Sequence, residues 1–275
     1  HFVKWLNGNV MELFDRLWEN YISLNPEAKR IHDLFIEEGE KIVNDHIAFR
    51  TLDDPKIDID ILAKPFIEMG YVPKGNYYFK DKKLIAKHYE IEGDELSPRI
   101  FISKLELSKF STFLQNTVIS LIEKIPSDIT NDEPLILKGN LWGKPSYETY
   151  NRLRQESEYA AWLYVYGFCP NHFTISVNFL KKFPEIVQVN EFVKSKGFLI
   201  NSSGGEIKGS PADLLEQSST MASLQEIEFI EGRYIIPSTY YEFAKRYLDS
   251  NGHIYGGFVE KSADKIFEST DYYQK

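Results

Sequence analysis

The sequence predicts an α+β protein in which two βαβββ modules lie side by side and close into a half-barrel, with covering helices at the N-terminus and inserted between the modules. Two observations carry this reading. The stretches Asp45-His46-Ile47-Ala48-Phe49-Arg50 and Asn171-His172-Phe173-Thr174-Ile175-Ser176 share one pattern, a polar residue, a histidine and then an alternation, and both read as strands. The order of elements after each of them then repeats, helix first and three strands behind it, as an internal duplication requires.

Taken in order, Val10, Leu13, Phe14, Leu17 and Trp18 recur at spacings of three and four, and Ile31, Leu34 and Phe35 resume the period after Asn25-Pro26, so 1–42 reads as two covering helices. The first module, 43–106, holds the first histidine strand, a helix around 59–69 and strands over 71–79, 84–91 and 99–105. Residues 107–168 read as a helical insert, with helices over 113–125 and 147–166 and a break rich in Pro, Asp and Asn at 126–134. The second module, 169–248, repeats the order: the second histidine strand, a helix near 183–196, a Gly/Ser-rich turn over 201–211, and strands near 214–221, 227–230 and 234–244. A C-terminal tail, 249–275, completes what reads as one domain.

Composition narrows the function. With 275 residues, 43% hydrophobic and 15% aromatic, the chain can bury a large core. A net charge of −9 and the lack of any Lys/Arg-rich block give no footprint for nucleic acid or an anionic membrane, so small-molecule chemistry is expected. The single cysteine, Cys169, excludes an intrachain disulfide framework, and neither a signal-peptide pattern nor a long apolar run is present. A cytoplasmic location is expected.

The candidate site follows from the strand period of two. His46, Ala48 and Arg50 share one face and Ile47 and Phe49 the other; His172, Thr174, Ser176 and Asn178 oppose Phe173, Ile175 and Val177. Buried polar groups cost roughly 1–3 kcal/mol each unless satisfied, so two inward polar stripes point to a ligand or metal, the alternative being two strands that turn their polar faces to solvent. Two imidazoles and a carboxylate with open positions hold Fe(II), and equally Zn or Mn. The expected carboxylate is Glu242, set between Tyr241 and Phe243; Glu226 and Glu228, in an alternating hairpin-like arm, are alternates. Arg50 lies roughly 13 Å beyond His46 at about 3.3 Å per residue, suited to clamp a substrate carboxylate, or otherwise to form a structural salt bridge. His88 is a candidate proton donor or substrate contact, or a hydrogen-bonded strand residue. Ser176, Gln217 and Ser218 are candidate substrate-binding residues, and Ser219 beside them is a candidate cavity-lining hydrogen bonder, the alternative being a solvent-facing stretch. His1, His32 and His253 show no partner pattern. The glycine-rich stretch 204–210 lacks the placement of a phosphate loop and reads as a tight turn or a lid.

At these residues, and at Pro170-Asn171-His172-Phe173-Thr174, the Ser203 to Ala222 stretch and Tyr240-Tyr241-Glu242-Phe243-Ala244-Lys245-Arg246, the chain resembles the 2-oxoadipate dioxygenase/decarboxylase family of hydroxyglutarate synthase-like proteins. The resemblance covers nearly the whole chain. It implies a vicinal-oxygen-chelate-like fold, a metal, Fe(II) foremost, held by His46, His172 and Glu242, and Arg50 gripping a 2-oxo acid. It further implies oxidative decarboxylation of 2-oxoadipate by O2 to 2-hydroxyglutarate and CO2 in lysine breakdown. The sequence assigns no partner to the distal carboxylate of such a substrate. Two other readings stand beside this one: a glyoxalase-like lyase, isomerase or hydrolase using Zn, Mn or Ni, and a non-catalytic module that binds a metabolite.

Overall fold

The structure, a computed structural model, describes residues 10–272; His1, the remainder of 1–9 and 273–275 lie outside the described residues. The elements run α1 (Val10–Leu24), α2 (Pro26–Glu37), β1 (Asn44–Leu52), α3 (Ile59–Glu68), β2 (Val72–Phe79), β3 (Leu84–Glu90), β4 (Arg99–Leu105), α4 (Thr112–Glu123), α5 (Tyr147–Glu156) and α6 (Glu158–Tyr166). The second half continues with β5 (Pro170–Ser176), α7 (Ile186–Ser195), β6 (Lys208–Ser210), β7 (Leu215–Ser219), β8 (Leu224–Phe229), β9 (Gly232–Pro237), β10 (Tyr240–Arg246) and α8 (Glu260–Phe267).

Eight strands form one curved sheet in the order β2-β3-β4-β1-β5-β10-β7-β6. The order is palindromic by module. β1 pairs parallel with β4, β5 pairs parallel with β10, and β1 meets β5 antiparallel at the centre, with Ala48 opposite His172. Each module is therefore a βαβββ unit, β1-α3-β2-β3-β4 and β5-α7-β6-β7-β10, and the two histidine strands are neighbours at the junction.

Alternation assigns the two faces of that sheet. Phe173 and Ile175 point to the outer face, where Trp18 and Tyr21 of α1 pack on Phe173 with ring centroids 5.1 and 5.0 Å away. Asn25 starts α2 by accepting from the Ala28 amide at 2.9 Å, and its side chain also donates to the Thr239 carbonyl at 3.0 Å, tying the N-terminal helices to the start of β10. Within the first module, Phe66 of α3 packs on Phe49 of β1.

The inner face is closed by two helices. Every residue from Tyr159 to Tyr166 of α6 is buried, and the Tyr159 and Tyr166 hydroxyls and the Trp162 indole donate to the carbonyls of Ser103, Pro237 and Ser238. Gly167 ends this helix at φ +66°, where a Cβ would come within 2.2 Å of the Gly139 carbonyl oxygen, so the close approach requires glycine. At the other end α8 packs on β2 and also on β6 and β7. It thus spans the two open edges of the half-barrel.

Five local expectations are revised. The helix expected over 147–166 breaks at Ser157, whose side chain accepts from the Ala160 amide and starts α6 afresh. The Gly/Ser-rich segment contains β6, the counterpart of β2. The strand expected over 227–230 belongs to β8, which pairs with β9 in a separate two-stranded sheet, and the strand expected over 234–244 is interrupted at Ser238-Thr239, where the chain leaves that hairpin for β10. The C-terminal tail carries α8 and covers the inner face.

Candidate metal centre

Three adjacent strands deliver the centre: His46 from β1, His172 from β5 and Glu242 from β10. The registers explain the convergence, since Thr174 lies opposite both His46 and Glu242 on its two neighbours, and His172 is one inward position away. His46 Nε2 lies 3.2 Å from His172 Nε2, His172 Nε2 lies 2.9 Å from Glu242 Oε2, and His46 Nε2 lies 3.5 Å from Glu242 Oε1. All three residues are buried. A first-row ion bound at about 2.1 Å by each of two such atoms sets them about 3.0 Å apart at a right angle and about 3.4 Å apart at a tetrahedral one. The triangle fits that requirement, and among the described residues it is the cluster of His, Cys, Asp or Glu able to hold an ion.

The polar residue that precedes each histidine orients it. Asp45 Oδ2 lies 2.8 Å from His46 Nδ1 and Asn171 Oδ1 lies 3.0 Å from His172 Nδ1, so an oxygen holds each Nδ1 and each Nε2 faces inward. Asp45 is in turn held by Arg246, whose Nε and Nη2 donate at 2.7 and 3.0 Å while its Nη1 donates to the carbonyls of Tyr255 and Gly257. Burial pushes Glu242 upward, but the two imidazoles outweigh it and leave the carboxyl at about 2. Burial likewise opposes charge on His46, yet Glu242 and Asp45 together raise its pKa; on His172 burial prevails and the pKa falls.

The cavity over the three ligands, walled by Phe101, Gln217, Tyr240, Phe258, Ala263, Ile266 and Phe267, measures about 20 Å³, room for about one water molecule. Beyond Phe267, which borders both spaces, lies a cavity of about 240 Å³ that contains Arg50. The Arg50 guanidinium is 2% exposed and stacks near the rings of Tyr159, Trp162 and Phe267, at 4.8, 5.0 and 5.6 Å. Its Nε and Nη1 have no hydrogen-bond partner. A buried guanidinium with unmatched donors is built to receive an anion.

The profile of the 2-oxoadipate dioxygenase/decarboxylase family matches residues 7–133 and 114–250. A chloroplastic/amyloplastic 2-oxoadipate dioxygenase/decarboxylase of Oryza sativa subsp. japonica is 36% identical over 274 residues, 91% of this chain and 75% of the relative. The chloroplastic protein of the same name from Arabidopsis thaliana is 34% identical over 275 residues, 91% of this chain and 74% of the relative. The chain belongs to this family.

The 2-oxoadipate dioxygenase/decarboxylase family also accounts for the architecture. The hydroxyglutarate synthase of Oryza sativa, solved in complex with 2-oxoadipate, matches with a TM-score of 0.88 at 36% identity, over 95% of this chain and 91% of that one. A protein of Shewanella frigidimarina described as a hydrolase matches at 0.86 and 46% identity, over 92% and 98% of the two chains. A glyoxalase superfamily protein of Ralstonia eutropha, at 0.72 and 19% identity over 88% and 83%, shares the vicinal-oxygen-chelate-like fold alone.

Within this family member the sequence-predicted residues separate cleanly. His46, His172 and Glu242 come together; Arg50 stands beyond Phe267 and makes no ion pair among the described residues. Gln217 lines the metal cavity and donates to Glu242 Oε1 at 2.5 Å. Ser218, next to it in sequence, points the other way and donates to Asn190 of α7, because neighbours on a strand cannot share a face. Ser219, also expected to line the cavity, does share the Gln217 face but bonds Ser269 just after α8 at 2.8 Å and is not among the residues that wall the cavity. Ser176 is buried on the His172 face but lies outside the residues that wall the cavity. His88 is not in the cavity: its ring nitrogens are engaged by Tyr77 and Glu90, each at 2.8 Å, behind Phe258. Glu226 and Glu228 sit on the β8–β9 hairpin, paired with Arg233 and Lys144 and open to solvent.

Proposed function

We propose that this chain is an Fe(II)-dependent dioxygenase/decarboxylase that converts a 2-oxo acid of the 2-oxoadipate type, with O2, into a 2-hydroxy acid and CO2. The observation that carries the reading is the pairing of a buried two-histidine, one-carboxylate cluster with a buried guanidinium whose donors are unmatched. For 2-oxoadipate the atoms balance: the six-carbon diacid and O2 yield 2-hydroxyglutarate and CO2, as the place in lysine breakdown suggested by the resemblance requires.

When bound at His46, His172 and Glu242, Fe(II) would supply open positions for the 2-oxo acid and O2 and the redox capacity for their reaction, whereas Zn, Mn or Ni could fill the same ligands in a purified sample. The remaining work falls to the chain itself. Arg50 takes a substrate carboxylate in a two-point fork, Gln217 fixes the free orientation of Glu242, and the aromatic wall of Phe101, Phe258 and Phe267 keeps water out, which strengthens each of these contacts. Cys169 is buried and free, in keeping with a reducing, cytoplasmic compartment. No helix among the described residues is long and apolar enough to cross a membrane.

The test is anaerobic reconstitution with Fe(II), followed by O2 uptake and CO2 release with a panel of 2-oxo acids that includes 2-oxoadipate. O2-dependent CO2 release with one of them, lost in Arg50→Ala although the metal stays bound, is the expected result. A second reading draws on the hydrolase description of the Shewanella relative. Tight metal binding with no O2 consumption across the panel would favour that redox-inert chemistry.

A further inference from the structure

We infer that Tyr240 is a substrate-contacting residue whose hydroxyl donates a hydrogen bond to the head of the 2-oxo acid, between the metal ligands and Arg50; this rests on the function proposed above. Tyr240 opens β10 directly opposite His172, and the period of two puts it on the same inward face as Glu242. Its ring stacks on the His172 imidazole, with centroids 4.8 Å apart and planes 25° apart, and its other side packs with Ala222 and Ile266. The hydroxyl itself is wholly buried, and although the Arg50 guanidinium is its polar neighbour, the two make no well-formed hydrogen bond.

That last fact is the anomaly. Everything the ring does, Phe would do as well, and a buried phenol left unpaired costs about 1–3 kcal/mol. Two other polar groups beside the reacting space are unmatched in the same way: Gln217 Oε1, an acceptor, and the Arg50 Nε and Nη1 donors. Tyr240 shares the wall of the metal cavity with Gln217, and its hydroxyl is the neighbour of the Arg50 guanidinium. A ligand rich in oxygen that reaches from the metal toward Arg50 would satisfy all of these groups together, and a 2-oxo acid has that shape and chemistry. The duplication shows that the position is special. Ala48 and Phe101 face each other in the first module as Thr174 and Glu242 do in the second, and one inward step earlier Tyr240 occupies the place of Arg99. Arg99 is spent on Glu90 and Asp45, whereas the Tyr240 hydroxyl has no carboxylate bonded to it and makes no well-formed hydrogen bond.

Tyr240→Phe removes the hydroxyl and keeps the ring on His172. The experiment loads wild type, Tyr240→Phe and Arg50→Ala with Mn(II) in the absence of O2, verifies metal content and melting temperature, and titrates 2-oxoadipate by calorimetry. The expected outcome for Tyr240→Phe is full metal content, an unchanged or higher melting temperature, and 2-oxoadipate binding weakened about ten- to a hundredfold, as for loss of a hydrogen bond to a charged oxygen. Wild-type binding in Tyr240→Phe, with binding lost in Arg50→Ala, overturns this inference and leaves the proposed function standing. A wild type that binds no 2-oxo acid overturns both.

Discussion

His46 is the residue on which the most forces meet. It lies 3.2 Å from a second imidazole and within 3.5 Å of a carboxylate, and its Nδ1 is engaged by Asp45. Because Glu242 and Asp45 hold its pKa above the ordinary 6.5 despite burial, the metal-free protein keeps a proton on His46 to higher pH than usual. A metal must displace that proton. Metal affinity should therefore rise with pH by about tenfold per unit while His46 is protonated, and level off above its pKa. In Asp45→Asn one of the raising groups is gone, so the plateau should be reached at lower pH; the same change leaves the Arg246 guanidinium buried without its counter-ion and should lower stability by about 3–5 kcal/mol. Metal titrations at stepped pH and a denaturant melt check both statements, and a plateau that stayed in place in Asp45→Asn would refute this account of His46. At this scale much was legible. A histidine behind a polar residue, repeated on two alternating stretches, and a lone glutamate between aromatics have few other uses in a core strand. Tyr240 was not legible, since an aromatic in a strand is ordinary until its hydroxyl is found without a partner, and the alternation that excludes Ser218 while admitting Ser219 needed the face of β7 to be known.

At the scale of elements, α8 sets the working volume. It crosses from β2 to β6 and β7, and Phe267 at its end divides the cavity of about 20 Å³ over the ligands from that of about 240 Å³ around Arg50. A space for about one water cannot take a six-carbon acid, so side chains of this cover must yield when substrate enters. Its anchors lie at its two ends: the Arg246 bonds to the Tyr255 and Gly257 carbonyls, Tyr77 to the Phe258 amide and Glu260 to the Tyr78 amide before or at its start, and Asn201 and Ser219 to the Lys265 carbonyl and Ser269 at its end. Amide hydrogen exchange of 258–267 should be faster than that of β1 and β5 in the metal-loaded protein and should slow when 2-oxoadipate is added without O2. Equal protection with and without the acid would show that the cover does not move. None of this could be read from the tail of the sequence, because an amphipathic helix does not declare which groove it covers. The β8–β9 hairpin misled for a related reason. Its alternation has the same period as the module strands, and only the pairing partner tells them apart.

The whole molecule is a duplication in which the two halves share the candidate site unequally. The palindromic sheet brings the two histidine strands together at its centre, which is why one candidate histidine comes from each module, but the carboxylate comes from β10 alone; its counterpart Phe101 packs instead against Phe258. The order of elements showed the duplication in advance, although β6 escaped notice because three residues after a glycine-rich turn leave almost no periodic signal. Outer helices pack on the sheet, the insert borders the Arg50 cavity and α8 borders the cavity over His46, His172 and Glu242, so among the described residues both spaces are walled in part by segments added to the duplicated core. The claim that unites these parts is that the centre they enclose inserts O2 into a 2-oxo acid. It is tested most directly by turnover of 2-oxoadipate under isotopically heavy O2 with the Fe(II)-loaded protein. The account predicts a 2-hydroxy acid carrying both heavy oxygen atoms, formed one for one with unlabelled CO2; product formed without heavy oxygen, or at full rate under argon, would contradict it.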